Sequence, residues 1–498
     1  MTEGPGVRVR FAPSPSGDLH VGNIRTALYD WAFARHTGGT FVLRIEDTDT
    51  SRITPAYIDS ALDTLRWLGL DWDEGPQAGG EYGPYLQSQR MVIYADWITT
   101  LLNSGAAYHC YCTQDEVAQR RAAARAGAGG PSGYDGHCRE LTAAQVTAYQ
   151  AEGRQPVVRL RMPEGSTTFT DLVRGEVTFD HQHVPDFVLA RADGSPLYTL
   201  AVAVDDVLMK ITHVVRGEDL LSSTPRQMAV YAAMGVDRAD FPVFAHLPYV
   251  LGRDGQRLSK RNGVVSVNWY RDQGYLPEAM NNYLALLGWS PGENRESFTL
   301  AEMAAEFDLN RVNKNAAQFD AGKLKAINGD KIRALGPADF AARLTPFLHQ
   351  AGAVPDPPSP QQASLIAAAA PLVQERSADL AEAAGMLAFL FVAEDAFEVD
   401  AADAERGLSA GAAPVLQAAA DALTGVGSWT AGAIEEALRT ALVDKMGLKP
   451  RAAFAPVRVA VTGRRVSPPL FESIELLGRD RTLTRLSGAL AIASTATG

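Results

Sequence analysis

Short apolar runs and a helical pattern alternate at the start of the chain. Residues 7–12 and 41–45 (FVLRI) are mostly apolar and too short for helices, which predicts two buried strands. Between them, from about residue 23 to 36, apolar positions recur at helical spacing and predict an amphipathic helix. Together these elements predict a β-α-β unit.

The same kind of pattern predicts the elements that follow. Helical periodicity returns at residues 57–69 and 89–104, and each helix is closed by a glycine that can adopt the left-handed cap conformation. An excess of Ala, Arg and Gly over residues 118–134 predicts a helix that ends in a mobile loop. Strand patterns resume in PVVRLRM, GEVTF and DFVLARADGSPLYTLAVAVDD, where DGS indicates a hairpin turn.

The last part of the chain has a different pattern. Beyond about residue 262 it is almost wholly helical, and AGAVPDPPSPQ (351–361) predicts a proline-rich joint between helical units. A length of 498 residues is too great for one hydrophobic core and indicates about three domains of ~150 residues.

Composition narrows the class of protein. With 46% hydrophobic and 21% charged residues the chain is globular, and its longest apolar stretch, near residues 386–392, is far shorter than the ~20 residues of a membrane span. The first residues lack the apolar segment of a secretion signal, and three cysteines do not make a disulfide framework. We therefore expect a cytoplasmic protein that does not associate with membranes.

Charge is unevenly distributed along the chain. The net charge of −12 argues against a protein that coats nucleic acid non-specifically. From Lys445 onward, however, nine Lys and Arg residues face three acids. A basic end on an acidic body permits selective binding of a polyanion, although scattered arginines on a solvated helical surface give the same count.

Two stretches carry residues suited to phosphate chemistry. In APSPSGDLHVGN, a turn from strand to helix holds Gly22, which allows a flat ring to approach the backbone, and His20, which can donate to a phosphate oxygen. The second stretch, GRDGQRLSKRNG (252–263), is a glycine-flanked loop rich in cations. Each alone is equally typical of an ordinary surface, but the pair is much more specific.

These two stretches resemble the HIGH and KMSKS signatures of class I aminoacyl-tRNA synthetases. The order of further blocks, among them FVLRIEDTDTSR, WLGLDWDEGP, GPYLQSQR, VVRGEDLLSSTPRQ and MNNYLALLGW, is similar to that of the bacterial glutamyl-tRNA synthetases through most of the first 290 residues. The chain departs from the signatures at Asn23, where HIGH has its second histidine, and at Arg257, where KMSKS begins with lysine. Neither departure removes His20 or Lys260.

The resemblance implies an α/β fold. A Rossmann-like catalytic domain with a parallel sheet, residues 1–85 and 186–262, is split by a tRNA acceptor-end-binding insertion at 86–185. A helical stem-contact region at 263–322 and an all-α anticodon-binding region of two subdomains at 323–498 follow.

It also implies a two-step ligation of glutamate to tRNA(Glu). Glutamate attacks the α-phosphate of ATP, which carries Mg²⁺, and the glutamyl group of the adenylate then passes to the terminal adenosine of the tRNA. The substrates are tRNA(Glu), L-glutamate and ATP, and we expect a monomer. His20 and Lys260 are the expected catalytic residues, and the expected ATP-binding residues are Gly22, Asn23, Ser259, Lys260 and Arg261.

Binding of glutamate requires cations for its carboxylates and a carboxylate for its ammonium group. By motif position, Glu46 takes the ammonium, Arg10 and Arg216 take carboxylate, and Tyr198 closes the side-chain end of the pocket. Ser14 completes the set of family positions.

Three cysteines raise the question of a metal. Cys110, Cys112 and Cys138 lie within thirty residues, and three soft ligands suggest structural zinc. Some members of the family hold zinc here with a fourth ligand two residues beyond the third cysteine, which is Glu140 in this chain; His137 and His109 are alternatives. Buried free thiols without metal remain an equal interpretation.

The helical C-terminal third matches the family's anticodon-binding region. LVQERSADL places Arg376 where discriminating members inspect the last anticodon base, although a solvated surface arginine fits the same pattern. Two other functions compete with the ligase. A tRNA-modifying paralogue lacks the anticodon-binding region, and a silent tRNA-binding protein need not keep His20, Lys260 and Glu46. Arg10 and Arg216 disfavour a glutamine-specific enzyme, and whether tRNA(Gln) is also charged stays open.

Overall fold

The computed structural model describes residues 6–49, 52–126, 133–258 and 266–495. The chain divides into two compact units. The first comprises Met1–Trp269 and Met280–Asp320, and the second comprises Tyr270–Ala279 and Ala321–Gly498.

Strands lie in the first unit. In chain order they are β1 (Arg8–Phe11), β2 (Thr40–Leu43), β3 (Ala107–Cys110), β4 (Val157–Leu160), β5 (Ser166–Asp171), β6 (Gly175–Asp180), β7 (Val188–Ala190), β8 (His213–Gly217), β9 (Val243–Leu247), β10 (Val250–Leu251) and β11 (Ala317–Gln318).

Helices occur throughout the chain. Up to the end of the first unit they are α1 (Val21–Thr37), α2 (Pro55–Trp67), α3 (Met91–Asn103), α4 (Gln114–Ala126), α5 (Ala143–Ala151), α6 (Tyr198–Leu208), α7 (Thr224–Ala233), α8 (Val267–Asp272), α9 (Pro277–Leu286) and α10 (Leu300–Glu306). They continue as α11 (Ala321–Ala334), α12 (Pro337–Gln350), α13 (Pro360–Ala369), α14 (Pro371–Gln374), α15 (Leu380–Leu387), α16 (Ala401–Gly407), α17 (Ala413–Thr424), α18 (Ala431–Leu438), α19 (Pro450–Thr462), α20 (Leu470–Leu477) and α21 (Arg479–Thr495), with a π-helical segment at Arg439–Lys445.

The predicted β-α-β unit is present, and its strands belong to a larger sheet. Among the described residues, six strands pair in the order β2-β1-β8-β9-β5-β6, and every pair is parallel except β5 with β6. The helices predicted at 57–69 and 89–104 are α2 and α3, and the glycines that follow them, Gly69 and Gly105, have φ of 73° and 76°. The predicted α/β class with a parallel sheet is confirmed.

One element of the sequence prediction is wrong. The segment LYTLAVAVDD, expected to continue the strands, is helix α6, and only Val188–Ala190 before it is a strand. Leu200 through Asp206 are all buried, so the helix has little polar face to produce a 3.6-residue period. Its valines instead imitate a strand pattern. The DGS turn does join an antiparallel bridge, between Ala190 and Pro196.

The segment between the halves of the parallel sheet has a sheet of its own. Strands β3, β4 and β7 form an antiparallel sheet beside helices α4 and α5. Strands β5 and β6, which the sequence assigns to the insertion at 86–185, lie in the six-stranded sheet next to β9. Helix α4 covers the start of the predicted Ala-rich helix, whereas residues 127–132 of its predicted mobile loop lie outside the described residues.

The second unit is helical and has one extended hydrophobic core. Leu344 of α12 and Ile366 of α13, on either side of the proline-rich stretch, belong to the same core as Leu416 of α17 and Leu486 of α21. The stretch at 351–361 therefore connects helices that share a core.

Candidate active site

A cavity of about 500 Å³ opens where the parallel strands of the large sheet end. β1 leads through α1 to β2 on one side, whereas β8 leads to β9 on the other, so the connections diverge between β1 and β8. Ligands bind at such a switch point in open α/β sheets. Eight of the predicted site residues line this cavity: Arg10, Ser14, His20, Gly22, Asn23, Glu46, Tyr198 and Arg216.

His20 is the N-cap of α1. Its Nδ1 accepts hydrogen bonds from the backbone N–H groups of Gly22 (3.1 Å) and Asn23 (3.3 Å). The side-chain oxygen of Asn23 accepts in return from the backbone of His20, which completes a capping box. Because Nδ1 acts as an acceptor, the proton of a neutral imidazole sits on Nε2, where it is a donor.

The structure gives a specific reason for glycine at position 22. A Cβ added to Gly22 would lie only 3.0 Å from Cε1 and 3.1 Å from Nδ1 of His20. The sequence predicts that Gly22 allows a flat ring to approach the backbone, and the ring next to it here is that of His20. Any larger residue would push the imidazole away from its capping position.

The loop that carries the second signature is described only in part. Ser259, Lys260 and Arg261 lie outside the described residues. Arg257, which precedes them, lines the cavity and forms an ion pair with Asp219 at 3.1 Å. The start of the loop is therefore at the mouth of the cavity.

The amino-acid end of the cavity rests on a buried network of charges. Arg44 is fully buried and donates to Asp206 (2.7 Å) and Glu46 (3.3 Å), and Arg10 donates to Asp206 at 3.1 Å. Asp205 accepts from Arg90 at 2.7 Å in the layer beneath.

Sequence reasoning missed this supporting layer. Arg44 stands inside an apolar strand, and Asp205 and Asp206 end an apolar run, where an unpaired charge is too costly to bury. Those positions were the available signal of an internal ion-pair network. The signal could not be used while the segment that carries both aspartates was assigned to a strand.

Glu46 has unusual acid–base properties. Only 8% of the residue is exposed, and burial raises the pKa of its carboxyl group to about 7. Arg44 and Arg10 oppose that rise, and Asp206 adds to it. A cationic group that enters the cavity beside Glu46 would favour its ionised form.

Arg216 faces the cavity from the end of β8. Its Nε donates to Nε2 of His246 (3.0 Å) and its Nη2 donates to Oγ1 of Thr224 (2.9 Å). Its Nη1 is buried and has no hydrogen-bond partner among the described residues. Tyr198, the first residue of α6, is close enough to both Arg216 and Glu46 that their charges act on the pKa of its phenol, which burial raises.

The three cysteines lie outside this cavity, in the small core of the insertion. Their sulfur atoms are all within 4.8 Å of one another, as expected of soft metal ligands. The hydroxyl group of Tyr134 lies 3.4 Å from Sγ of Cys110 and 4.0 Å from Sγ of Cys112. Hydrogen bonds from Cys138 and then Tyr134 lower the pKa of the Cys110 thiol despite its burial.

The predicted fourth ligands point elsewhere. Glu140 pairs with Arg161, and the Nε2 of His137 contacts the hydroxyl of Tyr149 at 3.2 Å. His109 is exposed on β3. The oxygen of Tyr134 is thus the polar side-chain atom that the structure places beside the thiols, and its position 24 residues after Cys110 gave no signal in the sequence.

Arg376 lies in the second unit, in the turn after α14. It is exposed, and its Nη1 contacts the backbone oxygen of Ser467 at 3.4 Å. The positive charge of Arg376 contributes to the lowered pKa of the half-buried Arg458, for which burial is the larger cause. Two guanidinium groups so close together favour an anionic or carbonyl-rich ligand.

Within the described ranges, no helix combines the length and the apolar character that crossing a bilayer requires.

Comparisons with known proteins agree with these features. Residues 6–326 match the family of class I tRNA synthetases (E and Q), catalytic domain, and residues 339–490 match an anticodon binding domain. The glutamate–tRNA ligase of Nocardioides sp. is 55% identical over 487 residues, which cover 97% of this chain and 98% of that one. The glutamate–tRNA ligase of Saccharopolyspora erythraea is 54% identical over 486 residues, 97% of this chain and 96% of that one.

A solved structure has the same fold over nearly the whole length. The glutamate tRNA ligase of Elizabethkingia meningosepticum, crystallised in complex with its amino acid, is 33% identical, superposes with a TM-score of 0.79, and is matched over 98% of this chain and 99% of that one. The resemblance found in the sequence is confirmed: the chain belongs to the glutamate–tRNA ligase family of class I tRNA synthetases.

Proposed function

We propose that the cavity at the strand ends is the active site of a glutamate–tRNA ligase. The observation that carries this proposal is the arrangement of its wall, where a histidine-capped helix N-terminus lies at one end and two buried arginines and a carboxylate lie at the other. The first end suits the phosphates of ATP, and the second suits a small amino acid with an anionic side chain.

The residues at the ATP end act by position and charge. Glutamate attacks the α-phosphate in line, pyrophosphate leaves with the Mg²⁺ that accompanies ATP, and no covalent bond to the enzyme forms. His20 donates from Nε2 to a phosphate oxygen as negative charge develops, and Gly22 and Asn23 line the same turn. Ser259, Lys260 and Arg261, on the signature loop, are the proposed further contacts to the phosphates.

The residues at the amino-acid end select glutamate. Glu46 pairs with the ammonium group, and Arg10 and Arg216 take the carboxylates. Tyr198 closes the side-chain end with its hydroxyl, and Ser14 lines the opposite wall. Because the α-carboxylate of glutamate becomes the nucleophile, its approach to the phosphate depends on these contacts.

A charging assay tests the proposal directly. The full-length protein, ATP and Mg²⁺ should attach radiolabelled glutamate to tRNA(Glu), with release of pyrophosphate and no attachment of glutamine. Parallel reactions with tRNA(Gln) determine whether that tRNA is also accepted. Absence of glutamyl-tRNA with either tRNA would contradict the proposal.

The raised pKa of Glu46 predicts a pH dependence of glutamate binding. Below a pKa of about 7 the carboxyl group is protonated and cannot pair with the substrate ammonium, so kcat/KM for glutamate should fall up to about tenfold per pH unit below 7 and level off above it. The variant Glu46→Gln should have a low kcat/KM that changes little across this range. A wild-type profile that matches that of the variant would contradict the assignment.

We also propose that the insertion holds one structural zinc ion. Cys110, Cys112 and Cys138 would supply thiolates, and Tyr134 rather than Glu140 or His137 is placed to supply an oxygen. Protein prepared without chelator should carry about one equivalent of zinc, and Cys138→Ser should release it. Glu140→Gln is the matched control that should retain the metal, and zinc-free wild-type protein would leave the thiols without a metal role.

Arg376 is proposed to inspect the last anticodon base, which distinguishes tRNA(Glu) from tRNA(Gln). A mismatched base leaves a buried donor unpaired at a cost of about 1–3 kcal/mol, or roughly 5- to 150-fold in kcat/KM. Arg376→Gln should therefore reduce the preference for tRNA(Glu), measured as the ratio of kcat/KM for unmodified transcripts of the two tRNAs. Equal weakening of both tRNAs would instead indicate a phosphate contact.

A further inference from the structure

A chain of three buried side chains leads to Arg216 from behind the active site. Strands β5, β9 and β8 lie side by side, and they bring Asp171, His246 and Arg216 to the same end of the sheet. Arg216 and His246 are direct register partners. All three residues are less than 5% exposed.

The hydrogen bonds along this chain define the tautomer of the histidine. Nδ1 of His246 lies 2.6 Å from Oδ2 of Asp171, and a carboxylate accepts only. Nε2 of His246 lies 3.0 Å from Nε of Arg216, which donates only. The imidazole must therefore carry its proton on Nδ1 and present a lone pair at Nε2.

The lone pair at Nε2 fixes the guanidinium plane of Arg216. Nε of Arg216 is held by His246, and Nη2 is held by Thr224 and by the backbone oxygen of Leu220 at 3.3 Å. With two of its nitrogens bound on the protein side, the planar group keeps one orientation. Nη1, which has no partner among the described residues, is the nitrogen left for a substrate.

We propose that Asp171 and His246 are positioning residues that hold Arg216 in the orientation that receives a carboxylate of the amino-acid substrate. This inference rests on the proposed role of Arg216 in binding glutamate. Asp171 sets the tautomer, His246 transmits it, and Arg216 makes the contact. A donor at Nε2 of His246 would face the donor of Arg216 and turn the guanidinium away.

The variant Asp171→Asn tests the tautomer with little change of shape. The Asn carbonyl can keep the hydrogen bonds that Oδ1 accepts from the backbone of Val173 (2.9 Å) and Arg174 (2.8 Å). Its amide group then donates to Nδ1 and moves the proton of His246 to Nε2. The KM for glutamate should rise about 10- to 100-fold, with KM for ATP and the melting temperature close to wild type.

A double-mutant cycle separates positioning from a structural role. In His246→Gln, the side-chain carbonyl replaces the Nε2 acceptor and needs no tautomer, so glutamate binding should be partly retained. Adding Asp171→Asn to this variant should then raise the KM for glutamate little further. Asp180→Asn, an exposed change on the same hairpin, is the matched control that should leave both KM values unchanged.

The outcomes distinguish this inference from the role of Arg216. If Arg216→Ala raises the KM for glutamate strongly and Asp171→Asn does not, the positioning chain is wrong and the proposed function stands. Equal effects of Asp171→Asn in both backgrounds, or a parallel rise in the KM for ATP with a lowered melting temperature, would also overturn it. If Arg216→Ala leaves the KM for glutamate unchanged, the proposed role of Arg216 itself fails.

Discussion

Replacing His20 with alanine is expected to lower kcat for tRNA charging by about 10²- to 10³-fold, with a much smaller rise in the KM for ATP. The reason is that the Nε2 donor acts on charge that develops in the transition state, so its loss affects kcat more than ground-state binding. Steady-state charging assays with varied ATP measure both quantities. A near wild-type kcat, or a defect confined to the KM for ATP, would contradict the role.

His20 also caps α1, so the control must separate capping from catalysis. Alanine removes the acceptor for Gly22 and Asn23 and should cost about 1 kcal/mol of stability. His20→Asn keeps a capping oxygen but has no donor at the position of Nε2. It should restore the melting temperature without restoring kcat, whereas recovery of kcat with the cap would assign His20 a structural role.

Replacing Asp206 with asparagine is expected to destabilise the catalytic unit by about 3–5 kcal/mol. The change leaves Arg10 and Arg44 buried without the carboxylate that both of them contact, and uncompensated buried charge is among the most costly defects in a protein. Amide hydrogen exchange on β1 and α6 of the full-length protein measures the free energy of opening at the two ends of this network. Unchanged exchange would show that the network is not under this constraint.

An exposed ion pair of the same unit is the matched control. Asp63 and Arg66 pair at 3.4 Å on α2 with side chains 66% and 47% exposed. Solvent screens such a pair, so Asp63→Asn should change stability by less than about 1 kcal/mol. A loss at Asp63 as large as that at Asp206 would mean that removal of any negative charge, rather than a buried one, is responsible.

Residues that lie close together in the sequence could be predicted well. The turn with His20 and Gly22 was identified because its signature, its strand and its helix are contiguous, and the same holds for α2 and α3 with their terminal glycines. The wall formed by Arg10, Glu46 and Arg216 was placed only through the family resemblance. These residues are up to 206 positions apart, and periodicity does not indicate which strands become neighbours.

Features that depend on burial from all sides could not be predicted. Helix α6 has no polar face, so its pattern imitates a strand. Asp205 and Asp206 at its end therefore had no assigned environment, and Arg44 had no visible partner. Tyr134 was missed for a different reason, since an aromatic residue near cysteines is ordinarily core and only the positions of Sγ and hydroxyl atoms indicate a shared site.

The return of β5 to the large sheet limits how this enzyme can be shortened. A truncation that replaced residues 86–185 by a linker would remove β5 and β6 and leave β9 as an edge strand with unpaired backbone groups, a template for intermolecular pairing. It would also remove the carboxylate that His246 contacts. A viable excision has to end before Ser166, so the module and the catalytic sheet are exchangeable as separate pieces only up to that residue.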